Sequence, residues 1–374
     1  MEEHGGNIWN RLRQGELAVS GKIKNKILDF SANINPLGLP PDIVRVIRKN
    51  IPALIHYPHP QAGPLRKQIS KYIHLDQDHI LAGNGTTQLM YLIYRVFKPG
   101  SVIIPVPSFS EYEKAVSGAN IYFHQLKSNN GFCLDVNRLL EDIERKAVSK
   151  SSEKSNRSMV VLGNPNNPIG NLIPVTELIS LVRQLYKRRI WLVLDEAFID
   201  FVKDDHKHSL ISRVSEYSNL IVLRTLTKFF ALPGLRIGYA VSSKKNISVL
   251  SRCIEPWSVN HLAQTAGMEI LKQKDYIKQS HSYIVKEYKY LYSQLKKISF
   301  LEPYPSAVNF IMCKIKPDNK IKDSHHLTSS IEKKGILIRN CANFRNLGSR
   351  YIRVAVRSRS ENKLLIQGFR NLKI

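Results

Sequence analysis

Acidic side chains and cysteines are both scarce in this chain. Its 374 residues hold 30 Asp and Glu against 56 Lys and Arg, a formal net charge of +26. The four cysteines, Cys133, Cys253, Cys313 and Cys341, are scattered without a C-x-x-C pair. That argues against a disulfide framework and a zinc site, and fits a reducing cytoplasm. Long apolar runs are missing: none nears the ~20 residues that span a bilayer. The opening, Met1 to Asn7, has neither the basic nor the apolar region of a signal peptide. His206/His208 and His325/His326 have no further spaced ligands, so no metal is expected. The basic excess raises the question of nucleic acid. Lys and Arg are spread along the whole chain, however, and no helix-turn-helix pattern accompanies them, so the excess reads as a solvated surface that draws anionic substrates.

What remains is an ordinary globular composition, 43% hydrophobic and 23% charged. Apolar runs at 101–105, 159–162, 190–194 and 220–223 read as buried strands, alternating with helical patterns at 41–50, 64–73, 89–97 and 175–187. Strand–helix–strand order through about residue 250 predicts a mostly parallel sheet covered on both faces, with right-handed crossovers. The tail mixes helices (263–272, 276–298, 325–334, 361–372) with strands (307–313, 335–339, 351–356). Residues 41–255 are therefore expected to form a large α/β domain, and 1–40 with 256–374 a smaller α+β domain carrying an N-terminal arm. The stretch 146–158, rich in Lys and Ser, reads as an exposed connection.

The chemistry concentrates just after the strand at 220–223, in Arg224 to Tyr239. Lys228 stands there among small hydroxyls and apolar residues. Desolvation lowers an ammonium pKa and makes the amine a nucleophile able to form a Schiff base. Arg236 follows as a fixed cation suited to phosphate. Upstream, Gly83-Asn-Gly-Thr-Thr87 opens onto the helical run at Leu89, where free N–H groups can hold an anion. Gln88 stands where a third dinucleotide-type glycine would be, which disfavours that class. Asn164-Pro-Asn-Asn-Pro168 makes a tight turn that projects amides, and the strand at 190–194 ends in Asp195-Glu196. An acid at such a strand end lies where α/β sheets bind ligands.

Asn-Gly-Thr-Thr, a turn aromatic, Asn-Pro-Asn-Asn-Pro-x-Gly, Asp-Glu-Ala, Thr-x-Thr-Lys and Gly-Leu-Arg-x-Gly occur here in one order. That order resembles the fold-type-I pyridoxal-phosphate enzymes and covers nearly the whole chain. The resemblance implies an aminotransferase-like α/β fold with pyridoxal 5'-phosphate as cofactor. Lys228 would be its Schiff-base lysine and Asp195 the acid at its ring nitrogen. Phe109 would stack on the ring, and Asn167 would bond the ring hydroxyl. Gly85, Thr86, Thr225, Thr227 and Arg236 would hold the phosphate. Tyr57 would reach the phosphate of the other subunit of a homodimer.

Two branches of that family look similar: histidinol-phosphate aminotransferases and L-threonine-O-3-phosphate decarboxylases of cobalamin biosynthesis. His4-Gly-Gly-Asn7 with Asp29 to Pro36 resembles the arm of the decarboxylases, as do Thr227 to Arg236 and Asn340-Cys-Ala-Asn-Phe344. Phe198 stands where the aminotransferases usually have Tyr. By the same likeness Arg339 and Arg353 reach a small dianionic substrate, and His4, Gly6 and Asn33 close over it. The expected reaction is decarboxylation of L-threonine O-3-phosphate to 1-aminopropan-2-ol O-phosphate. Transamination of histidinol phosphate and decarboxylation of L-serine O-phosphate are the alternatives, the latter differing by one methyl group, worth only ~1–3 kcal/mol.

Overall fold

The computed structural model describes residues 5–6, 27–145, 158–317 and 321–372. After a short strand β1 (Leu28–Asp29), the apolar runs become one seven-stranded sheet: β2 (Ile80–Gly83), β3 (Ser101–Val106), β4 (Asn120–Gln125), β5 (Ser158–Gly163), β6 (Trp191–Asp195), β7 (Leu220–Thr225) and β8 (Gly238–Ser242). Their spatial order is β2-β8-β7-β6-β5-β3-β4. The pairs from β7 through β4 are parallel. Strands β3, β5, β6 and β7 are buried along their whole length, which is why they read as unbroken Val, Ile and Leu runs rather than alternating ones. Alternate residues serve opposite cores. Leu192, Leu194 and Val222 enter one layer, and Trp191, Val193 and Ile221 the other.

Helices α1 (Pro41–Asn50), α2 (Gly63–Ile73), α3 (Gly85–Phe97), α4 (Glu111–Lys114), α5 (Val136–Ile143), α6 (Val175–Lys187) and α7 (Lys244–Ser251) cover this sheet. In α6 the buried residues are Leu178, Leu181, Val182 and Leu185, the i, i+3, i+4, i+7 stripe of an amphipathic helix.

Three features differ from the sequence reading. Strand β8 runs antiparallel to both β7 and β2, because only the twelve residues from Leu226 to Ile237, too few for a covering helix, separate it from β7. The link from β6 to β7 is three short 3-10 turns rather than a helix. Glu196, Asp200 and Asp205 turn inward there instead of alternating with an apolar stripe. Helix α3 starts at Gly85, so the Thr86-Thr87 pair lies in its first turn rather than in a preceding loop.

Helices α8 (His261–Ile270) and α9 (Lys274–Leu295) lead to the second unit. There β9 (Leu301–Pro303), β10 (Phe310–Ile315), β12 (Arg339–Asn340) and β13 (Tyr351–Ala355) form an antiparallel sheet ordered β12-β13-β10-β9. A separate strand β11 (Ile336–Leu337) pairs in parallel with β1. The run expected at 335–339 thus splits between two partners. Helices α10 (Ser324–Glu332) and α11 (Arg359–Arg370) complete the unit, α11 opening with a capping box of Ser358 and Glu361. Ala263, Ala266 and Ile270 of α8 belong to the large core, whereas Leu291 and Leu295 of α9 belong to the small one. We therefore place the division along α9 rather than at residue 255.

Beneath the sheet's carboxyl edge lies a buried ion cluster. Arg224 Nε meets Glu196 Oε2 at 3.0 Å, and its Nη1 meets Asp205 Oδ2 at 2.7 Å and Asp200 Oδ1 at 3.4 Å. Ser209 Oγ and the Leu210 N–H also donate to Glu196, at 2.7 and 3.1 Å. Burial pushes the Glu196 carboxyl up, and Arg224 and these donors oppose that. Removing one member of such a group strands the others without a partner. Arg224→Met is expected to lower stability by about 3–5 kcal/mol in equilibrium denaturation; a loss below 1 kcal/mol would show that the cluster is not a structural support.

Candidate active site

The carboxyl ends of β5, β6 and β7 open onto a cavity of about 450 Å³. Lys228 projects into it from the turn after β7. Its chain neighbours Leu226, Phe229 and Phe230 are buried in the core, while Thr225 and Thr227 face the cavity with it. The turn is tied to the chain after β1: Asn35 N donates to Lys228 O at 3.0 Å, and Asn35 Nδ2 donates to Phe229 O at 2.9 Å. Burial, then the charges of Arg353 and Arg236, push the Lys228 ammonium down to about 8, with Asp195 and Asp29 opposing.

Asp195 ends β6 and lines the same cavity. Its Oδ1 accepts from Ala197 N at 2.9 Å, and its Oδ2 accepts from Tyr112 Oη at 2.8 Å. Burial raises its carboxyl, and the two donors and Lys228 counter the rise. Phe109 lines the wall beside it, edge-on to the Tyr112 ring at 5.7 Å.

An anion cradle forms where α3 starts. The first N–H groups of that helix have no side-chain cap. Gly85 has φ +77°, and a Cβ there would stand 2.6 Å from Arg236 Nη2, so the guanidinium uses the space a side chain would fill. A Cβ on Gly238 would stand 2.6 Å from Thr86 N. The Thr225 and Thr227 hydroxyls touch at 2.8 Å, and Thr225 Oγ1 reaches Ile237 O at 2.8 Å. Arg236 itself sits at φ +58°, a left-handed conformation that a non-glycine residue adopts at a cost of about 1 kcal/mol or more.

The opposite wall comes from the small unit. Arg339 and Arg353 are direct cross-strand partners on β12 and β13, both buried and both lining the cavity. Arg353 donates to Asn167 Oδ1 and to Ser31 O, the latter at 3.2 Å, while its Nε has no protein partner. Burial lowers the Arg353 guanidinium to about 10. Arg339 Nη2 donates to Asn343 Oδ1 at 2.8 Å. Asn33 lines the cavity with a buried Oδ1 that has no protein partner.

Of the expected site residues, Lys228, Asp195, Thr86, Phe109, Asn167, Thr225, Thr227, Arg236, Asn33, Arg339 and Arg353 all line this one cavity. Gly85 stands behind Arg236. Gly6 is held at the rim, its N–H donating to Ser31 Oγ at 2.8 Å, and Gly5 reaches the wall. His4 lies outside the described residues. Tyr57 does not reach the cavity: it is 83% exposed and packs on Trp257 at 5.0 Å. Sequence reasoning missed Ser31, Phe344 and Tyr112. The signal for Tyr112 was its place one helical turn after Phe109. No group of acids, histidines and cysteines able to hold a metal occurs among the described residues, and none of the described helices is long and apolar enough to cross a membrane.

Residues 25–369 match the family described as aminotransferase class I and II. This chain belongs to that family. It is 34% identical to the threonine-phosphate decarboxylase of Salmonella typhimurium over 99% of this chain and 96% of that one. It is 33% identical to the histidinol-phosphate aminotransferase of Caldanaerobacter subterraneus subsp. tengcongensis over 92% of both. Among solved structures, the histidinol-phosphate aminotransferase from Clostridium acetobutylicum superposes with a TM-score of 0.82 at 31% identity, covering 92% of this chain and 98% of that one. The L-threonine-O-3-phosphate decarboxylase from Porphyromonas gingivalis superposes with a TM-score of 0.78 at 25% identity, with the same coverage.

The cofactor is pyridoxal phosphate, and the cavity fits it. It offers an amine for the aldehyde, a buried carboxylate for the ring nitrogen, an aromatic wall for the ring and a cradle of N–H, hydroxyl and guanidinium donors for the phosphate. Only the neutral amine of Lys228 attacks the aldehyde, so cofactor attachment to the apoprotein should quicken as pH rises and level off above about 8. Stopped-flow absorbance checks this. A midpoint near that of ordinary lysine, ~10.4, would contradict the desolvated environment, and Lys228→Ala should abolish attachment.

Proposed function

We propose that this chain decarboxylates L-threonine O-3-phosphate to 1-aminopropan-2-ol O-phosphate, a step of cobalamin biosynthesis. The observation that carries the reading is the pairing of Arg339 with Arg353. Like charges directly opposite on neighbouring strands destabilise a sheet. Burying both beside a cavity makes sense when an anion with two charged ends sits between and around them, and guanidinium holds carboxylate or phosphate through parallel hydrogen bonds. The arm resembling the decarboxylases and the Salmonella relative support the choice of substrate.

Bound pyridoxal phosphate supplies the electron sink for the pair left on Cα when carbon dioxide leaves. The chain's own residues do the rest. Asp195, whose two donors oppose the effect of burial, would favour a proton on the ring nitrogen. Asn167 and Arg353, bonded to each other, join the ring side of the site to the substrate side. Arg353 and Arg339 anchor carboxylate and phosphate. Lys228, in its ammonium form, would be placed to return a proton to Cα. Phe109, Phe198 and Phe344 wall the cavity against water.

Histidinol-phosphate transamination is the second reading, favoured by the close superposition on the Clostridium enzyme. Loaded protein given L-threonine O-3-phosphate and no keto acid should release carbon dioxide and the aminopropanol phosphate. Arg353→Ala should lower kcat/KM by about 100-fold or more, since it removes charged hydrogen bonds worth ~1.5–3 kcal/mol each. Turnover only of histidinol phosphate, and only with 2-oxoglutarate, would sink the decarboxylase reading. Release from L-serine O-phosphate at an equal kcat/KM would broaden the substrate.

A second copy of the chain is the partner in this reading, in the cytoplasm. Ile51, Leu54, Ile55 and Tyr57 form an exposed apolar stretch beside Trp257, as an unpaired dimer face would. Tyr57 on that face would reach the partner's cofactor phosphate. Sedimentation should give a dimer, weakened by Ile55→Asp. A monomer in both forms would refute the dimer.

A further inference from the structure

Tyr112 is buried, and its hydroxyl hydrogen-bonds Asp195 Oδ2 at 2.8 Å. The residue is held from three sides. Its ring meets Phe109 edge-on at an interplanar angle of 87°. Its backbone carbonyl accepts from Tyr94 Oη at 3.2 Å. The third neighbour is Gly163, the last residue of β5 and the cross-strand partner of Asp195. A Cβ on Gly163 would stand 2.9 Å from Tyr112 Oη, in the space that the hydroxyl occupies to reach the carboxylate. A bare position at the end of an otherwise bulky strand, Ser-Met-Val-Val-Leu-Gly, therefore has a local reason.

We propose that Tyr112 is a positioning residue that holds the Asp195 carboxylate against the cofactor ring nitrogen, and that Gly163 is kept without a side chain to let it do so. The inference rests on the reading of Asp195 as the partner of that nitrogen, and is independent of which substrate is used. Burial favours the neutral acid, while a donor to the charged form restores the anion. Ala197 N serves one oxygen and Tyr112 the other, so both donors work for the charged form against burial and fix the carboxylate in rotation. Through its ring the same residue fixes Phe109, so one side chain sets both the face and the nitrogen end of the cofactor pocket. Phenylalanine would fill the same volume, so the hydroxyl, not the packing, carries the role.

The test uses holoenzyme loaded with cofactor labelled with ¹⁵N in the ring. The nitrogen resonance reads its protonation, which mere packing would not move. In Tyr112→Phe it should shift toward the unprotonated position, with kcat down about tenfold, as for loss of one hydrogen bond to a charged group. KM should stay within about threefold. Gly163→Ala should move both quantities in the same direction by displacing the hydroxyl, and decides the matter should Tyr112→Phe fail to fold. If Asp195→Asn moves the resonance while Tyr112→Phe and Gly163→Ala leave it and kcat as in wild type, the inference is overturned. If Asp195→Asn leaves the resonance unmoved as well, the reading of Asp195 fails, and the inference falls with it.

Discussion

Positive charge crowded into one buried cavity is the constraint around which this structure is arranged. Lys228, Arg236, Arg339 and Arg353 line it, against Asp195 and Glu111. Burial is the first cause of the lowered pKa values of Lys228 and Arg353, and cations brought together out of water add to it by depressing one another's affinity for protons. A site like this is poised for anions. Each negative group that enters, a phosphate at α3 or a carboxylate between the strands of the small unit, relieves repulsion already present in the folded chain.

The scaffold bears this through the alternation of the extended chain. Successive residues of a strand face opposite sides. At the end of β6, Asp195 faces the cavity and Glu196 the ion cluster below. At the end of β7, Thr225 faces the cavity and Arg224 that same cluster. Two adjacent strands thus each place one side chain in the site and its neighbour in a buried ion pair that joins the strands. The pair fixes the relative height of Asp195 and the lysine turn. Glu196, Asp200 and Asp205 of the 196–205 link turn inward to complete it, which accounts for the missing helix between β6 and β7.

Much of the site was legible before any fold was known, because the motifs are local. Lys228, Asp195, Asn167 and Arg236 stand beside glycines, prolines and hydroxyls whose spacing reports a turn at a strand end. What sequence could not show depends on register between distant segments. Arg339 and Arg353 were each named, but that they face each other across two strands follows only from the pairing in the small sheet. Tyr112 reads as one aromatic in a turn until β5 and β6 are set side by side. Helix α8 looks like part of the C-terminal unit because it follows the last large-domain strand, yet Ala263, Ala266 and Ile270 offer a small, flat face that suits packing on α1 and α2.

The two ends of the cavity do different work. Lys228, Asp195, Phe109 and the cradle at α3 have the chemistry to hold pyridoxal phosphate, and in the proposed reading they would suit any reaction that leaves an electron pair on Cα. Choice among such reactions belongs to whatever sets the substrate's orientation, and in the proposed reading that would fall to the small unit with its tether to the chain before α1. Arg353 bonds both Asn167 of the large unit and the Ser31 carbonyl, while Ser31 Oγ holds Gly6 and donates to Asp29 Oδ1 at 2.6 Å. A Cβ on Gly5 would stand 2.2 Å from that Ser31 carbonyl oxygen, so the arm lies against the guanidinium's own acceptor. Gly5 and Gly6, Ser31, Arg353 and Asn167 are therefore one connected set of contacts. A shift of Gly5 and Gly6 would thus disturb the Ser31 carbonyl that Arg353 bonds, and with it the direction of that guanidinium in the cavity.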